Sequence, residues 1–139
     1  MKDYLFCKIV SGEIPSAKIH ETKNTLAFLD ISPINPGHTL IIPKTHYEDI
    51  FQMPDDTLAE TAIETKFVGN ALKKATDARG ISVITRNSRA AGQEIDHSHT
   101  HVIPRYVGDG HKSWTGKKYR NGEIEKMTDK IKKEIQTAL

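Results

Sequence analysis

The pattern of apolar and polar positions along the chain predicts several short strands and one long helix. Over residues 3–10 the apolar positions recur at helical spacing, which predicts a short helical turn near the start of the sequence. Two strands are predicted next, over residues 17–21 and 25–31, because a pair of typical turn residues separates them. The apolar segment 39–42 predicts a third strand that is buried on both faces.

The longest periodic segment predicts the main helix, with Gly80 as its stop. A fourth strand over residues 81–86 and a fifth over 95–103 follow, and Pro104 is expected to limit pairing just after the fifth strand. The last predicted element is an amphipathic helix within residues 122–139. Its apolar stripe consists of Ile124, Met127, Ile131 and Ile135.

These elements together predict the fold class. Five strands in hairpin-like succession, with one central helix and one C-terminal helix, predict an α+β domain built on a five-stranded antiparallel sheet. The chain of 139 residues is long enough for one domain with a single core. It contains no internal repeat and no low-complexity segment.

Composition narrows the class of protein further. The chain is 37% hydrophobic and 27% charged, values typical of a soluble protein. Its 20 basic and 18 acidic residues leave a net charge of +2, a bias too weak to indicate nucleic-acid binding. A single cysteine excludes an internal disulfide, and the sequence shows no signal-peptide core and no membrane-spanning stretch. The expected location is therefore cytoplasmic.

The segment 97–104 carries the clearest candidate chemistry. His97, His99 and His101 alternate with other residues, so a β-strand would place them on one face, about 6.6–6.8 Å apart. Such a row suits a metal site, because neutral histidine is the commonest metal ligand. It also suits nucleotidyl transfer, in which one imidazole attacks phosphorus and its neighbours stabilise charge on the phosphate oxygens. With 7 histidines in the chain, strict alternation of three argues against a chance arrangement.

Three segments of the chain resemble the histidine triad (HIT) family. Residues 92–105 resemble its signature, in which three histidines alternate with apolar residues. Residues 26–46 resemble its other characteristic segment, and residues 6–15 resemble its N-terminal one. The three occur in the family's order and cover roughly residues 4–106. The resemblance points to the Hint-like branch, particularly its bacterial forms, and implies a HIT-like fold for residues 1–106.

The extension over residues 107–139 lies outside this resemblance. Its first part, residues 107–122, is polar and glycine-rich and contains Trp114. We expect the extension, which ends in the amphipathic helix, to belong to the same globular unit as the HIT domain.

The chain departs from the family pattern around the histidines. Ser98 and Thr100 lie where the family prefers bulky apolar residues, and Asp96 lies where an aromatic residue is common. Glu94 replaces a serine or threonine whose hydroxyl can share a proton with the leaving group. A carboxylate must accept a proton or a hydrogen bond there, so the leaving-group preference stays open. No departure removes a reactive group, so we expect activity to be kept.

The resemblance implies hydrolysis at the α-phosphorus of a purine nucleoside 5′-phosphoramidate or a related nucleotide. His99 would attack phosphorus and form a nucleotidyl-histidine intermediate that water then hydrolyses. A backbone carbonyl near His97 would fix the tautomer of this nucleophile, and His97 itself would orient the neighbouring strand and site. His101 and His38, the fourth histidine of the family, would donate to the phosphate oxygens. No cofactor would be required, because the imidazoles supply the charge stabilisation.

The resemblance also implies a nucleotide pocket. Asp30 interrupts an apolar run, and its carboxylate suits the two ribose hydroxyls, with a cap on the strand-end turn as the structural alternative. Ile31 would touch the base or the sugar edge. Asn87 and Gln93 would bring amides to the phosphate or leaving group, beside Glu94. The apolar positions that would line the base pocket, or serve only as core, are Phe6, Ile9, Ile14, Phe28 and Leu40.

Other interpretations stay open. The chain could be a dinucleoside polyphosphate hydrolase of the same family, or a nucleotide-binding interaction protein with weak catalysis, although the presence of His99 argues against the latter. Some relatives hold a zinc ion with two cysteines and two histidines. Here Cys7, His46 and His97 are candidate ligands, but Tyr4 replaces the other cysteine, so a closed four-ligand zinc site is incomplete.

Partners are expected from the family as well. Its members are usually homodimers, which the sequence alone does not show. We therefore expect a homodimer that binds a purine nucleotide, without a membrane or nucleic-acid partner and without a resident metal.

Overall fold

A computed structural model describes residues 4–139 of the chain. Within these residues it contains three α-helices and five β-strands. The helices are α1 (Leu5–Ser11), α2 (Asp55–Thr76) and α3 (Glu123–Ala138). The strands are β1 (Lys18–Glu21), β2 (Thr25–Leu29), β3 (Thr39–Pro43), β4 (Gly80–Thr85) and β5 (Thr100–Arg105).

The strands form a single antiparallel sheet in the order β1-β2-β3-β5-β4. Its register defines rows of side chains that cross the sheet on one face. Phe28 pairs with Leu40, and Leu40 pairs with His101. His101 in turn pairs with Ile84 of β4. The structure thus confirms the predicted α+β class and its five-stranded antiparallel sheet, and it places a catalytic candidate in the middle of the sheet.

Both faces of the sheet are covered by helices. On one face Phe6 of α1 joins a buried cluster whose other members are Leu26, Phe28, Leu40 and Ile42. On the opposite face α2 contributes to a second cluster, made of Ala27, Ile41, Val68, Leu72 and Val102. Because alternate residues of β2 and β3 enter the two clusters, β3 is buried along its whole length, as predicted.

The fifth strand begins later and ends later than predicted. β5 starts at Thr100 and continues through Pro104, which pairs with Ile81. The predicted limit at Pro104 is therefore wrong. The cause is local: β3 pairs with β5 only as far as Val102, so one edge of Pro104 has no strand neighbour. The Pro104 carbonyl instead accepts a hydrogen bond from Asn35 Nδ2 at 2.8 Å.

The main helix ends earlier than predicted. α2 stops at Thr76, and Asp77 adopts a left-handed backbone with φ of 53°. Aspartate tolerates this conformation because its short polar side chain can bond locally. Gly80, the predicted stop, is instead the first residue of β4.

The described chain falls into two compact units, one ending at Asp109 and the other spanning Gly110–Leu139. The second unit contains Trp114 and α3, whose apolar residues recur at the predicted helical spacing. Membership of this extension in the same globular unit stays a prediction. None of the helices in residues 4–139 combines the length and the apolarity that a membrane span requires.

Candidate active site

A cavity of about 740 Å³ lies over the sheet face that carries α1. All five apolar positions predicted for the base pocket line it: Phe6, Ile9, Ile14, Phe28 and Leu40. Its charged and histidine side chains are Asp30, Arg86, Glu94, His99 and His101. Ile31 also lines the cavity and is 98% exposed, which places it at the rim. The cavity therefore combines an apolar wall with a polar one.

His99 has a single tautomer in this structure. Its Nδ1–H donates to the His97 carbonyl at 2.7 Å, because a carbonyl oxygen can only accept. The lone pair therefore resides on Nε2. Burial lowers the pKa of His99, while the bond to His97 and the charge of Asp30 act in the opposite direction. Near pH 7 this cavity-lining side chain is thus a neutral imidazole with an available lone pair.

His101 and His38 form a chain of hydrogen bonds that begins at a backbone amide. The Ile34 amide donates to His38 Nδ1 at 3.0 Å, so neutral His38 carries its proton on Nε2. That proton is donated to His101 Nδ1 at 2.9 Å. Neutral His101 must then carry its own proton on Nε2. This leaves His101, which lines the cavity, with an N–H that can donate to a bound anion.

The protonation state of His101 agrees with this assignment. Burial, assisted by the neighbouring His99 and His38, lowers the pKa of His101 to about 4. Burial also lowers the pKa of His38, against the opposing charge of Asp30. The pair is therefore neutral near pH 7, and its single direction of donation is set by the Ile34 amide.

Asp30 serves a turn and faces the histidines at once. Its Oδ1 accepts from the Ser32 amide at 2.9 Å, which is the turn contact weighed as the structural alternative. Its Oδ2 lies 3.7 Å from His38 Nε2, and the side chain lines the cavity. The turn contact occupies one oxygen only, so the ribose contact stays a prediction that the second oxygen can fulfil.

His97 lies apart from the other two histidines of the run. Residues 95–99 are not a strand, and His97 does not line the cavity. Its Nε2–H donates to the Pro43 carbonyl at 2.8 Å, and its Nδ1 lies 3.8 Å from Cys7 Sγ. The predicted strand before Thr100 is therefore wrong. His97 nevertheless stays on the α1 side of the sheet with His99, since Phe6 of α1 meets both rings edge-on, at 5.7 Å and 5.2 Å between centroids.

His97 belongs to a second, buried cluster, which it forms with Cys7 and His46. The ligand atoms of these residues lie within 4.8 Å of one another, with Cys7 Sγ 3.5 Å from His46 Nδ1. A tetrahedral zinc ion holds sulfur and nitrogen ligands about 3.5 Å apart, so the three atoms fit such an ion. Within residues 4–139 no fourth histidine, cysteine or carboxylate joins them. The geometry therefore fits three ligands of zinc, but not a closed structural site.

The two amide side chains predicted to approach the phosphate, Asn87 and Gln93, lie outside the cavity lining. Gln93 is buried, and its Nε2 donates to the Glu48 and Ile95 carbonyls, while its Oε1 accepts from the Ser88 amide. Asn87 Oδ1 accepts from the Ile50 amide at 3.1 Å. Neither residue lines the cavity. Both side chains brace the loop between β4 and β5, so a direct contact with substrate stays an untested prediction.

Arg86 lines the cavity and was not among the predicted site residues. The predicted strand 81–86 contained the signal, because Ile84 and Arg86 share a face when side chains alternate. The information that was lacking is the neighbouring strand, since only the register of β4 on β5 brings that face beside His101, the partner of Ile84.

Comparison with known proteins agrees with this site. The family model of the HIT domain matches residues 11–108, more than half of the chain. The chain belongs to the HIT domain family.

Individual relatives are similar over most of the chain. An uncharacterized HIT-like protein of Methanocaldococcus jannaschii, MJ0866, is 44% identical over 133 residues, covering 95% of this chain and 98% of the relative. Adenosine 5′-monophosphoramidase HNT1 of Candida albicans is 37% identical over 140 residues, 94% of this chain and 90% of its own. Adenylylsulfatase HINT3 of Arabidopsis thaliana is 41% identical over 107 residues, which cover 77% of this chain and 54% of the relative.

A solved structure shows the same similarity in three dimensions. The crystal structure of SMU.412c from Streptococcus mutans UA159 superposes with a TM-score of 0.90 at 39% sequence identity. The match covers 97% of this chain and 87% of the other. The fold of this chain is therefore that of HIT-family proteins.

Proposed function

We propose that the protein hydrolyses purine nucleoside 5′-phosphoramidates at the α-phosphorus through a nucleotidyl-His99 intermediate. The chain is a HIT-family hydrolase, and its relatives include proteins named for cleaving adenosine 5′-phosphoramidate or adenylyl sulfate. The observation that carries the proposal is the state of His99. It is a neutral imidazole whose Nδ1–H is committed to a carbonyl, and it borders a cavity with an apolar wall.

The first chemical step is an in-line displacement at phosphorus. His99 Nε2 forms a bond to phosphorus, and the phosphorus–nitrogen bond to the amine breaks. The bonding pair leaves with the amine nitrogen, which takes up a proton from solvent water at the mouth of the cavity. The Nδ1–H of His99 continues to donate to the His97 carbonyl, and this hydrogen bond stabilises the positive charge that the ring acquires. His101 Nε2–H donates to a non-bridging oxygen, where one well-placed donor contributes about 3 kcal/mol.

The second step releases the nucleotide. Water attacks phosphorus, the bond between phosphorus and His99 breaks, and the pair returns to Nε2. The proton released by water replaces the one that the amine removed, so the site is restored after one cycle. This cycle uses imidazole chemistry alone, and we propose that it needs no metal ion.

The nucleoside end of the substrate fits the apolar wall. Phe6 meets His99 edge-on with ring centroids 5.2 Å apart, so the base pocket adjoins the nucleophile directly. Asp30 lines the cavity beside His38, and its Oδ2 can accept hydrogen bonds from the hydroxyls of a ribose diol. The order base, ribose, phosphate therefore runs from α1 toward β5.

The test measures turnover of adenosine 5′-phosphoramidate and of diadenosine tetraphosphate, by wild type and His99→Ala, with EDTA present. We expect phosphoramidate cleavage in the wild type and its loss in the variant. Preference for the tetraphosphate would keep the nucleophile and replace the substrate class. Binding of AMP without turnover of either compound would contradict the proposal and favour a nucleotide-binding interaction protein.

We also propose that the protein is a homodimer that uses the free edge of β4. Among the strands of residues 4–139 it pairs only with β5, and Val83 in it is 55% exposed. Phe51 and Ile63 are among the other exposed apolar side chains of the same unit. An unpaired apolar edge strand is a surface that proteins normally cover.

Light scattering of wild type and Val83→Lys tests the homodimer. We expect the wild type to be a dimer and Val83→Lys to be a monomer, because a lysine on the edge opposes pairing. Val107→Lys is the matched control, since Val107 is exposed but not on β4, and it should remain dimeric. A monomeric wild type would contradict the proposal.

A further inference from the structure

A tight turn over residues 35–38 leads the chain into β3. The His38 amide donates to the Asn35 carbonyl at 3.0 Å and closes the turn. Pro36 and Gly37 occupy its two central positions, and Gly37 has a φ of +96°. Proline followed by glycine with a positive φ is typical of a type II turn. The local sequence therefore sets the path of the backbone just before β3.

The Asn35 side chain fastens this turn to the end of β5. Asn35 Nδ2 donates to the Pro104 carbonyl at 2.8 Å and to Asp109 Oδ2 at 3.1 Å. Because β3 pairs with β5 only as far as Val102, Asn35 takes the position of a strand neighbour beside Pro104. Arg105 holds Asp109 in turn, through hydrogen bonds of 2.7 Å and 3.0 Å. Both N–H groups of the Asn35 carboxamide thus join the turn to β5 and to the residues that follow it.

The residue before Asn35 supplies the amide that orients His38. The Ile34 amide donates to His38 Nδ1 at 3.0 Å, and His38 is only 3% exposed, so water cannot readily replace this donor. Asp30 acts in the same direction, because its negative charge favours a proton on the nearer nitrogen of His38. Its Oδ2 lies 3.7 Å from His38 Nε2, which is beyond hydrogen-bond distance. The Ile34 amide is therefore the direct contact that decides which nitrogen of His38 carries the proton.

The hydrogen bond between His38 and His101 has two alternative directions. In the direction that the Ile34 amide favours, His38 Nε2–H donates to His101 Nδ1 at 2.9 Å, and His101 presents an N–H to the cavity. In the opposite direction His38 carries its proton on Nδ1, His101 donates from Nδ1, and His101 Nε2 presents a lone pair to the cavity. Each direction contains one hydrogen bond between the same two atoms, so this bond does not select between them. The selection comes from the Ile34 amide, whose hydrogen opposes a proton on His38 Nδ1.

We propose that Asn35 is a positioning residue: it anchors the turn to β5, and the anchored turn keeps the Ile34 amide on His38 Nδ1. Through this contact Asn35 maintains the N–H that His101 presents to the cavity. The catalytic part of the inference rests on the proposed function, in which that N–H donates to a non-bridging phosphate oxygen. Without the anchor the turn moves away from His38, and the opposite direction of donation becomes populated. A lone pair of His101 then faces the phosphate, whose oxygens accept hydrogen bonds but donate none.

NMR of the imidazole nitrogens tests the anchor without any turnover, because the protonated nitrogen and the lone-pair nitrogen of a neutral ring have different shifts. In the wild type near pH 7 we expect His38 and His101 to carry their protons on Nε2. In Asn35→Ala, and in Asn35→Asp, which keeps the shape but removes both donors, the Nδ1–H form should become measurable. The tautomer ratio should change about 10-fold, the size of one lost hydrogen bond. Unchanged ratios in both variants, or Nδ1–H rings in the wild type, would overturn the inference whatever the protein hydrolyses.

Asn24→Ala is the matched control. Asn24 lies in the turn between β1 and β2, and its Nδ2 donates to Glu60 Oε2 at 3.0 Å. The substitution removes the carboxamide of a turn residue, as Asn35→Ala does, but at a turn that does not carry His38. The tautomer ratios should therefore stay within about 2-fold of the wild type. A change as large as that in Asn35→Ala would show a general effect of lower stability and would overturn the assignment.

Steady-state kinetics then tests whether Asn35 acts through His38. We expect Asn35→Ala to lower kcat for adenosine 5′-phosphoramidate about 10-fold and to change KM less than about 3-fold, because the donor is needed most in the transition state. In a His38→Ala background the same substitution should change kcat by less than about 2-fold, since the ring on which it acts is absent. A full 10-fold further loss in that background would show a route that bypasses His38 and would overturn the inference. Altered tautomers with an unchanged kcat would support the anchor and contradict the donor role of His101 in the proposed function.

Discussion

The three histidines of one short run enter two different clusters, and the two clusters differ in how their ring nitrogens are used. His99 and His101 border the cavity, and each keeps one ring nitrogen without a hydrogen-bond partner among residues 4–139. His97 is fully buried, and its nitrogens face the Pro43 carbonyl and the Cys7 thiol. An imidazole becomes a candidate catalyst where one nitrogen is fixed by the backbone and the other faces a ligand.

The same comparison shows that backbone groups set the catalytic tautomers. The His97 carbonyl accepts from His99 and so exposes a lone pair, whereas the Ile34 amide donates to His38 and so exposes an N–H on His101. One carbonyl and one amide thus turn neighbouring imidazoles into a nucleophile and a donor. In the buried cluster the Pro43 carbonyl directs the lone pair of His97 toward Cys7, which is a ligand geometry and not a catalytic one.

The largest expected effect separates the two clusters by activity. His99→Ala removes the only lone pair proposed to attack phosphorus, so kcat/KM for adenosine 5′-phosphoramidate should fall by about 10³-fold or more. His46→Ala makes the same change in the buried cluster and should stay within about 10-fold of the wild type. Steady-state kinetics on both variants is the measurement. Equal losses of kcat/KM in His99→Ala and His46→Ala would contradict the distinction between the two clusters.

The next largest effect concerns the histidines at the cavity, His101 and its hydrogen-bond partner His38. His101→Ala removes the N–H donor to the phosphate and should lower kcat by about 10²-fold. His38→Ala should lower kcat less, because His38 acts through His101 and does not line the cavity. Separate kcat and KM values for the two variants are the measurement. A greater loss of kcat in His38→Ala than in His101→Ala would reverse the order of the relay.

The third effect concerns His97 of the buried cluster, which should make the free energy of unfolding depend on pH. Burial lowers the pKa of His97 from 6.5 to about 4, against an opposing contribution from its bond to Pro43. Between these values the unfolded state binds more protons than the folded state. The free energy of unfolding therefore falls as pH drops below 6.5, and His97 contributes about 2 kcal/mol of this loss by pH 5.

Urea denaturation at pH 8 and pH 5 measures this loss for wild type and His97→Gln. Glutamine keeps a donor for the Pro43 carbonyl but does not titrate. The variant should therefore lose about 2 kcal/mol less than the wild type between the two pH values. Identical losses would show that His97 has an ordinary pKa and is not set apart from the cavity.

The smallest expected effect concerns metal. Cys7→Ser removes the sulfur from the buried cluster, and EDTA removes exchangeable ions. Each should change kcat/KM by less than about 3-fold, because His99 and His101 lie outside the buried cluster. Elemental analysis of purified wild type and Cys7→Ser accompanies the kinetics. A stoichiometric ion that survives EDTA in the wild type would contradict the expectation of no resident metal.

The parts of the fold that follow from local pattern could be predicted from the sequence. The apolar runs of β2 and β3 and the long stripe of α2 depend on neighbours along the chain, and all three elements form. The start of β5 could not be predicted, because the Ser98 amide is held by the Tyr47 carbonyl at 2.7 Å. That contact joins distant parts of the chain and keeps the segment before Thr100 out of the sheet.

The candidate site divides in the same way. The apolar wall and the cavity histidines were predicted from the family resemblance, and the structure places them around one cavity. The separation of His97 depends on Cys7, which is 90 positions away in the sequence. The position of Arg86 depends on the register between β4 and β5. Neither relation is visible in a local pattern, because both arise from the pairing of remote segments.

The central claim is that His99 forms a covalent bond to phosphorus, and the stereochemistry at phosphorus tests it most directly. A P-chiral adenosine 5′-phosphorothioamidate would be hydrolysed in water labelled with heavy oxygen, and the configuration of the product determined. Two successive in-line displacements, by His99 and then by water, predict net retention. Net inversion would mean that water attacks the substrate directly, and it would contradict the nucleotidyl-histidine intermediate.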